Sequence, residues 1–133
     1  MSLLSDAIGP LEVAVARDGF SVSVVDAGTV RVTWDADGVH AAMLGLRTFD
    51  EEPATLVFLA LGVQSAYQGT GFFTHLCAVL PGFARSAGFD TFLVAGTSSS
   101  EAAATFTAAG FAGDPLTVDV SADPCPLEVY AAQ

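Results

Sequence analysis

Lysine is absent from this chain, and only four arginines stand against fifteen aspartates and glutamates, a net charge of −11 over 133 residues. Nucleic acid is a poor partner for such a surface, because duplex binding needs lysine or arginine to neutralise phosphates. Anionic membranes are repelled for the same reason. Cysteine is scarce: Cys77 and Cys125 have no metal-ligand spacing and build no disulfide framework. No apolar run approaches the ~20 residues that span a bilayer. The opening Met1-Ser2-Leu3-Leu4-Ser5-Asp6 lacks the basic and long apolar regions of a signal peptide. These absences point to a reduced, cytoplasmic protein by default, although a particle-associated protein without a signal has the same features. Acidity without lysine fits both a salt-adapted host and a high-GC coding bias.

What is present is apolar. Hydrophobic residues make up 52% of the chain and charged residues only 14%, which argues against disorder. The length suits one domain, residues 1–133, with no linker. The apolar surplus favours packing against a protein partner, self-association or a larger assembly.

Residues 1–19 show apolar positions near helical spacing (Leu3, Leu4, Ala7, Ile8, Leu11, Val15), interrupted at Gly9-Pro10. This predicts one broken helix or two short ones. Strands follow at Phe20–Val25 and Thr29–Trp34, a hairpin turn at Asp35-Ala36-Asp37-Gly38, then strands at Val39–Phe49 and Thr55–Val63 after an Asp50-Glu51-Glu52-Pro53 turn. The periodicity predicts helices over Thr70–Ala87 and Ser98–Ala109 around a strand at Thr91–Ala95. Pro81-Gly82 should kink or fray the first of them. Strands are predicted at Leu116–Val120 and Leu127–Ala131.

The most informative stretch is Val63-Gln64-Ser65-Ala66-Tyr67-Gln68-Gly69-Thr70-Gly71-Phe72-Phe73, a strand end, a short polar loop and a glycine-opened helix start. Such a helix end attracts phosphate, because its N–H groups and macrodipole face the ligand. Gln68, Gly69, Thr70 and Gly71 resemble the acyl-CoA loop of the GNAT (GCN5-related) N-acetyltransferases. Ala102-x-x-x-Phe106-x-x-x-Gly110-Phe111 and the element order resemble that family too, over roughly residues 28 to 131. The resemblance implies an α/β (α+β) GNAT-like fold, a central mixed, mostly antiparallel sheet flanked by helices. It also implies that the fourth and fifth strands splay apart around the pantetheine of acetyl-CoA. The backbone of Val63 would hold the pantetheine, with Gln68, Gly69, Thr70, Gly71 and Phe72 around the pyrophosphate.

Against the same pattern, Phe73 stands where the family keeps glycine or alanine, and the loop has no cation. Arg47 and Arg85 are the nearest in sequence. Acyl transfer to an amine also needs a base and an acid. His40 and the Asp50-Glu51-Glu52 cluster are the candidate bases, each more simply read as exposed or structural. The family's leaving-group tyrosine corresponds to Phe106, which has no proton to give, and its usual asparagine to Ser99. Cys77 reads as a buried small hydrophobe and His75 as solvent-facing.

Two functions follow. One is an acyl-CoA-dependent N-acyltransferase acting on an amine. The other is a catalytically inactive GNAT-like structural or assembly module, for example a virion subunit. An FMN- or nucleotide-binding protein fits less well, because the antiparallel meander argues against a doubly wound sheet.

Overall fold

The computed structural model describes residues 3–67, 69, 71–95 and 100–133. Two short helices, α1 (Leu3–Asp6) and α2 (Ile8–Val15), precede a meander of β1 (Phe20–Asp26), β2 (Thr29–Ala36), β3 (Val39–Phe49) and β4 (Glu52–Val63). Then come α3 (Phe72–Ala87), β5 (Thr91–Val94), α4 (Ser100–Ala108), β6 (Thr117–Asp119) and α5 (Pro126–Ala131). The six strands form one sheet in sequence order, antiparallel throughout except for the parallel pair β4–β5.

Alternation along the strands builds the core face. Val30, Val32 and Trp34 of β2 lie opposite Leu46, Leu44 and Ala42 of β3. Leu56 and Phe58 of β4 continue the layer to Phe92 and Val94 of β5. Leu11 and Val15 of α2, Leu76, Leu80 and Phe83 of α3, and Leu127 of α5 join the same buried cluster. Burying a side chain of this size contributes about 1.5–3 kcal/mol, so this layer is the main source of stability.

Four expectations need correction. The predicted last strand, Leu127–Ala131, is the helix α5. Its start is set by Pro126 in the first turn and by a capping box. The Cys125 side chain takes the Glu128 N–H, and the Glu128 carboxylate accepts the Cys125 N–H at 3.0 Å. The amino-terminal break falls at Ala7, with Gly9-Pro10 inside the first turn of α2, where a missing proline N–H costs little. α3 runs unbroken through Pro81, because its buried face packs both halves against the sheet. The turn before β4 is shorter than expected, since Glu52 and Pro53 already belong to the strand. The predicted β2–β3 turn is present, with Asp37 and Gly38 both at positive φ, as a two-residue hairpin requires.

Candidate functional site at the amino end of α3

The parallel ladder between β4 and β5 begins at Thr55–Thr91 and ends at Phe58–Val94. One further bond, Ala95 N–H to the Phe58 carbonyl at 3.0 Å, closes it. At that point the β3–β4 register shifts: Leu46 faces Phe58 and Gly45 faces Ala60, leaving Leu59 as an extra residue. Gly45 makes room for this bulge, since a Cβ there would meet the Leu59 Cβ at 3.4 Å. A bulge bends its strand and twists it more strongly. β4 therefore turns away with β3, to which it stays paired as far as Val63–Ala42, and among the described residues no strand pairs with its other edge beyond Phe58. The β4–β5 ladder thus ends where the resemblance expects the two strands to part, beside a bulge that periodicity does not reveal.

Beyond Val63 the chain is anchored back to the sheet. The Gln64 N–H donates to the Ala41 carbonyl at 2.9 Å, and its side-chain amide donates to the His40 carbonyl at 2.7 Å. A short 3₁₀ turn, Ser65–Tyr67, leads into the loop. Gly69 and Gly71 both have positive φ, 82° and 92°, in open space, so their glycines are required by conformation rather than by crowding. Gly71 caps α3 without a side-chain bond, and its carbonyl accepts the His75 N–H at 2.8 Å. Gln68 and Thr70, predicted to contribute to the cradle, lie outside the described residues, as does Ser99.

The rings at the start of α3 point to opposite sides. Phe72 stacks on Phe20 of β1 at 5.5 Å. Phe73 is buried and packs edge-on against Phe106 at 5.5 Å and near Tyr130 of α5 at 6.2 Å. The ring that stood where a small residue was expected is thus taken up by the core. Phe106 is itself 3% exposed, enclosed by Phe58, Phe73 and Phe111.

Neither arginine nearest in sequence serves the loop. Arg47 bonds Thr29 at 2.6 Å and reaches Asp26 at 3.4 Å. Arg85, in the last turn of α3, is bidentate to Glu128 at 2.8 and 2.9 Å. The cation at the amino end is Arg17, which sequence reasoning missed. Its guanidinium lies 5.8 Å from the centre of the Phe20 ring, and it lines a cavity of about 280 Å3 with Asp18, Phe20, Trp34 and Phe72. No local pattern marks it, because tertiary packing alone brings the α2–β1 connection to the start of α3.

The candidate base and its neighbours cluster at the β2–β3 turn. His40 pairs through Nδ1 with the Asp35 carboxylate, and its side chain is 80% exposed. The Tyr67 hydroxyl donates to Asp37 at 3.0 Å, which raises the phenol's pKa, and its ring packs edge-on against Trp34. The Asp50-Glu51-Glu52 segment is exposed. His75 departs from expectation: it is half-buried, 4.8 Å from the Phe20 ring, with Nε2 buried and without a hydrogen-bond partner. Burial lowers its pKa, Arg17 adds to that, and a bond to the Val15 backbone opposes it. Cys77 is buried as expected, its thiol pushed up to about 12 by burial and so unreactive. Among the described residues no cluster of His, Cys, Asp or Glu is set to hold a metal, and no helix is long and apolar enough to cross a membrane.

Several solved structures share this fold. A GNAT-family acetyltransferase from Desulfovibrio desulfuricans superposes with a TM-score of 0.59 at 14% identity, over 70% of each chain. The ribosomal-protein-S18-alanine N-acetyltransferase of Escherichia coli gives 0.51 at 14% identity, over 85% of this chain and 77% of that one. An acetyltransferase from Thermus thermophilus gives 0.52 at 20% identity, over 70% and 62%. No curated protein sequence matches this one. The model of the acetyltransferase (GNAT) family matches residues 11–111, which include the bulged β4, the glycine loop and the Phe106 helix. The chain belongs to the GNAT acetyltransferase family.

Proposed function

We propose that this protein binds an acyl-CoA, acetyl-CoA being the simplest, along the diverging end of β4 and at the amino end of α3, and passes the acyl group directly to an amine. One observation carries this reading. The Leu59 bulge, the end of the β4–β5 ladder and a glycine-capped helix start leave a strand edge and helix N–H groups joined by only the short Gln64–Gly71 connection. Backbone groups from Ala60 to Val63 suit the amides of a pantetheine arm, paired in the manner of an added strand. The first N–H groups of α3, from Phe72 on, suit a pyrophosphate. Arg17 supplies positive charge there, against the long-range repulsion that a protein of net charge −11 exerts on an anionic donor.

The acceptor in this reading is a cationic amine, drawn by Asp35 and Asp37 at the β2–β3 turn. His40, oriented by Asp35, takes the amine proton directly or through one water. Nothing at Phe106 can protonate the departing thiolate, so water must, and turnover is slow. The test is thermal shift with acetyl-CoA, followed by a screen of amine acceptors for release of free thiol. Stabilisation together with thiol release above hydrolysis controls supports the reading. No stabilisation at millimolar donor overturns it.

A second reading has its own observation. Phe106 is sealed among three other phenylalanines, so the position of the family's acid serves packing here. That is the expected residue pattern of a fold kept as an inactive structural or assembly module. Donor binding without transfer to any amine would favour it.

A further inference from the structure

We propose that the cavity at the α2–β1 connection is a binding site for a zwitterionic α-amino acid with an aromatic side chain. It is lined by three rings, Phe20, Trp34 and Phe72, and by two residues of opposite charge, Arg17 and Asp18. Phe20 stacks on Phe72 at 5.5 Å and on Trp34 at 6.1 Å, with interplanar angles of 19° and 25°. The rings thus form a nearly flat apolar wall, which suits a planar ring on the ligand.

The connection that carries the charges is fixed against the sheet. The Phe20 N–H donates to the Arg17 carbonyl at 2.9 Å, and the Asp35 N–H to the Gly19 carbonyl at 3.0 Å. Gly19 has a φ of 84°, and a Cβ there would meet the Asp35 carbonyl oxygen at 2.5 Å and the Trp34 ring at 3.0 Å. Only glycine allows so close an approach. The backbone of Arg17 and Asp18 is therefore set before any ligand arrives. Among the described residues neither side chain forms an ion pair or a hydrogen bond, and Arg17 touches only the Phe20 ring.

Charge and size select the ligand. A simple cation here would meet Arg17, and a simple anion would meet Asp18. An α-amino acid satisfies both at once: its carboxylate accepts from the Arg17 guanidinium, and its ammonium donates to the Asp18 carboxylate. The volume of about 280 Å3 lies just below the ~300–1,000 Å3 of most small-molecule sites, which suits one amino acid better than a nucleotide. The cavity is also separate from the β4 edge, because Trp34 and Val63 lie on opposite sides of Ala42, two strands apart. The inference therefore does not depend on acyl transfer.

Trp34 is the only tryptophan in the chain, so its fluorescence reports on the cavity directly. Phenylalanine is expected to change that signal saturably. Phenethylamine, which lacks the carboxylate, and phenylpropanoate, which lacks the ammonium, should each bind about fivefold more weakly. Arg17→Ala should weaken phenylalanine by the same factor and leave phenethylamine unaffected. Asp18→Asn should weaken phenylalanine without weakening phenylpropanoate. Both positions are exposed, so both variants are expected to fold, which far-ultraviolet circular dichroism checks. Should either fail to fold, the three ligands compared on the wild type decide alone. No saturable change with millimolar phenylalanine, equal affinity for the three ligands, or folded variants that weaken all three alike would overturn the proposal.

Discussion

The two ends of α3 are built in opposite ways. At the carboxyl end Arg85 is bidentate to Glu128 and donates to the carbonyls of Val120 and Ala122 at 3.0 and 2.7 Å. Glu128 in turn caps α5 through the Cys125 N–H. Each bond supports another, and Gly88 closes the helix by donating to the Arg85 carbonyl. The amino end has no side-chain cap, two glycines at positive φ, and a cation lining a cavity. One end holds the helix in place and the other keeps donors available.

Substitutions can break this contrast, beginning with the core that fixes both ends. Phe106→Ala removes the ring joining β4, α3 and α4, and should cost about 3–5 kcal/mol in chemical denaturation. Arg85→Ala should cost about 2 kcal/mol, because it leaves the half-buried Glu128 without its cation, and acetyl-CoA affinity should be unchanged. At the other end the pattern should reverse. Gly71→Ala meets no atom within 4 Å and loses only about 1 kcal/mol to backbone strain, yet should weaken acetyl-CoA binding at least about tenfold by tilting the first N–H groups. Comparable losses of stability and affinity in both variants would erase the distinction.

The smallest effect is a dependence on pH. His75 has a lowered pKa in the folded protein, so the unfolded chain binds its proton more readily. Its contribution is complete above the ordinary histidine value of about 6.5 and is lost as pH falls below it. Thermal melts should show a modest decline there that His75→Leu flattens. Further acidification should bring a separate loss. Hydrogen bonding holds Glu128 (chiefly from Arg85), Asp26 (chiefly from the Gly28 N–H) and Asp119 (chiefly from Ser121) below the usual carboxylate range. Their contributions are present above the unfolded values near about 4 and vanish as these groups protonate.

Most of the fold was legible because period and punctuation agree. The strands alternate, Asp37-Gly38 and Ala27-Gly28 mark hairpins, and Gly88 and Gly110 follow the two long helices. The last segment was misread because Leu127, Val129 and Ala131 alternate like a strand. Pro126 and the Cys125–Glu128 cap determine the helix instead. In the site, the glycine loop was legible from its resemblance. The Leu59 bulge, the approach of Arg17 and the inward turn of Phe73 were not, because each depends on contacts between segments far apart in sequence. Even so, Gly45 opposite the bulge was a usable clue, since an interior strand glycine often marks close backbone approach.

The most direct test of the central claim is calorimetric titration of acetyl-CoA into the wild-type, Arg17→Ala and Gly71→Ala proteins at low and high salt. Micromolar binding by the wild type is expected, strengthened by salt as repulsion from the acidic surface is screened, and weakened in both variants. No heat at millimolar acetyl-CoA, or affinity unaltered by Gly71→Ala, would contradict a donor site at the amino end of α3.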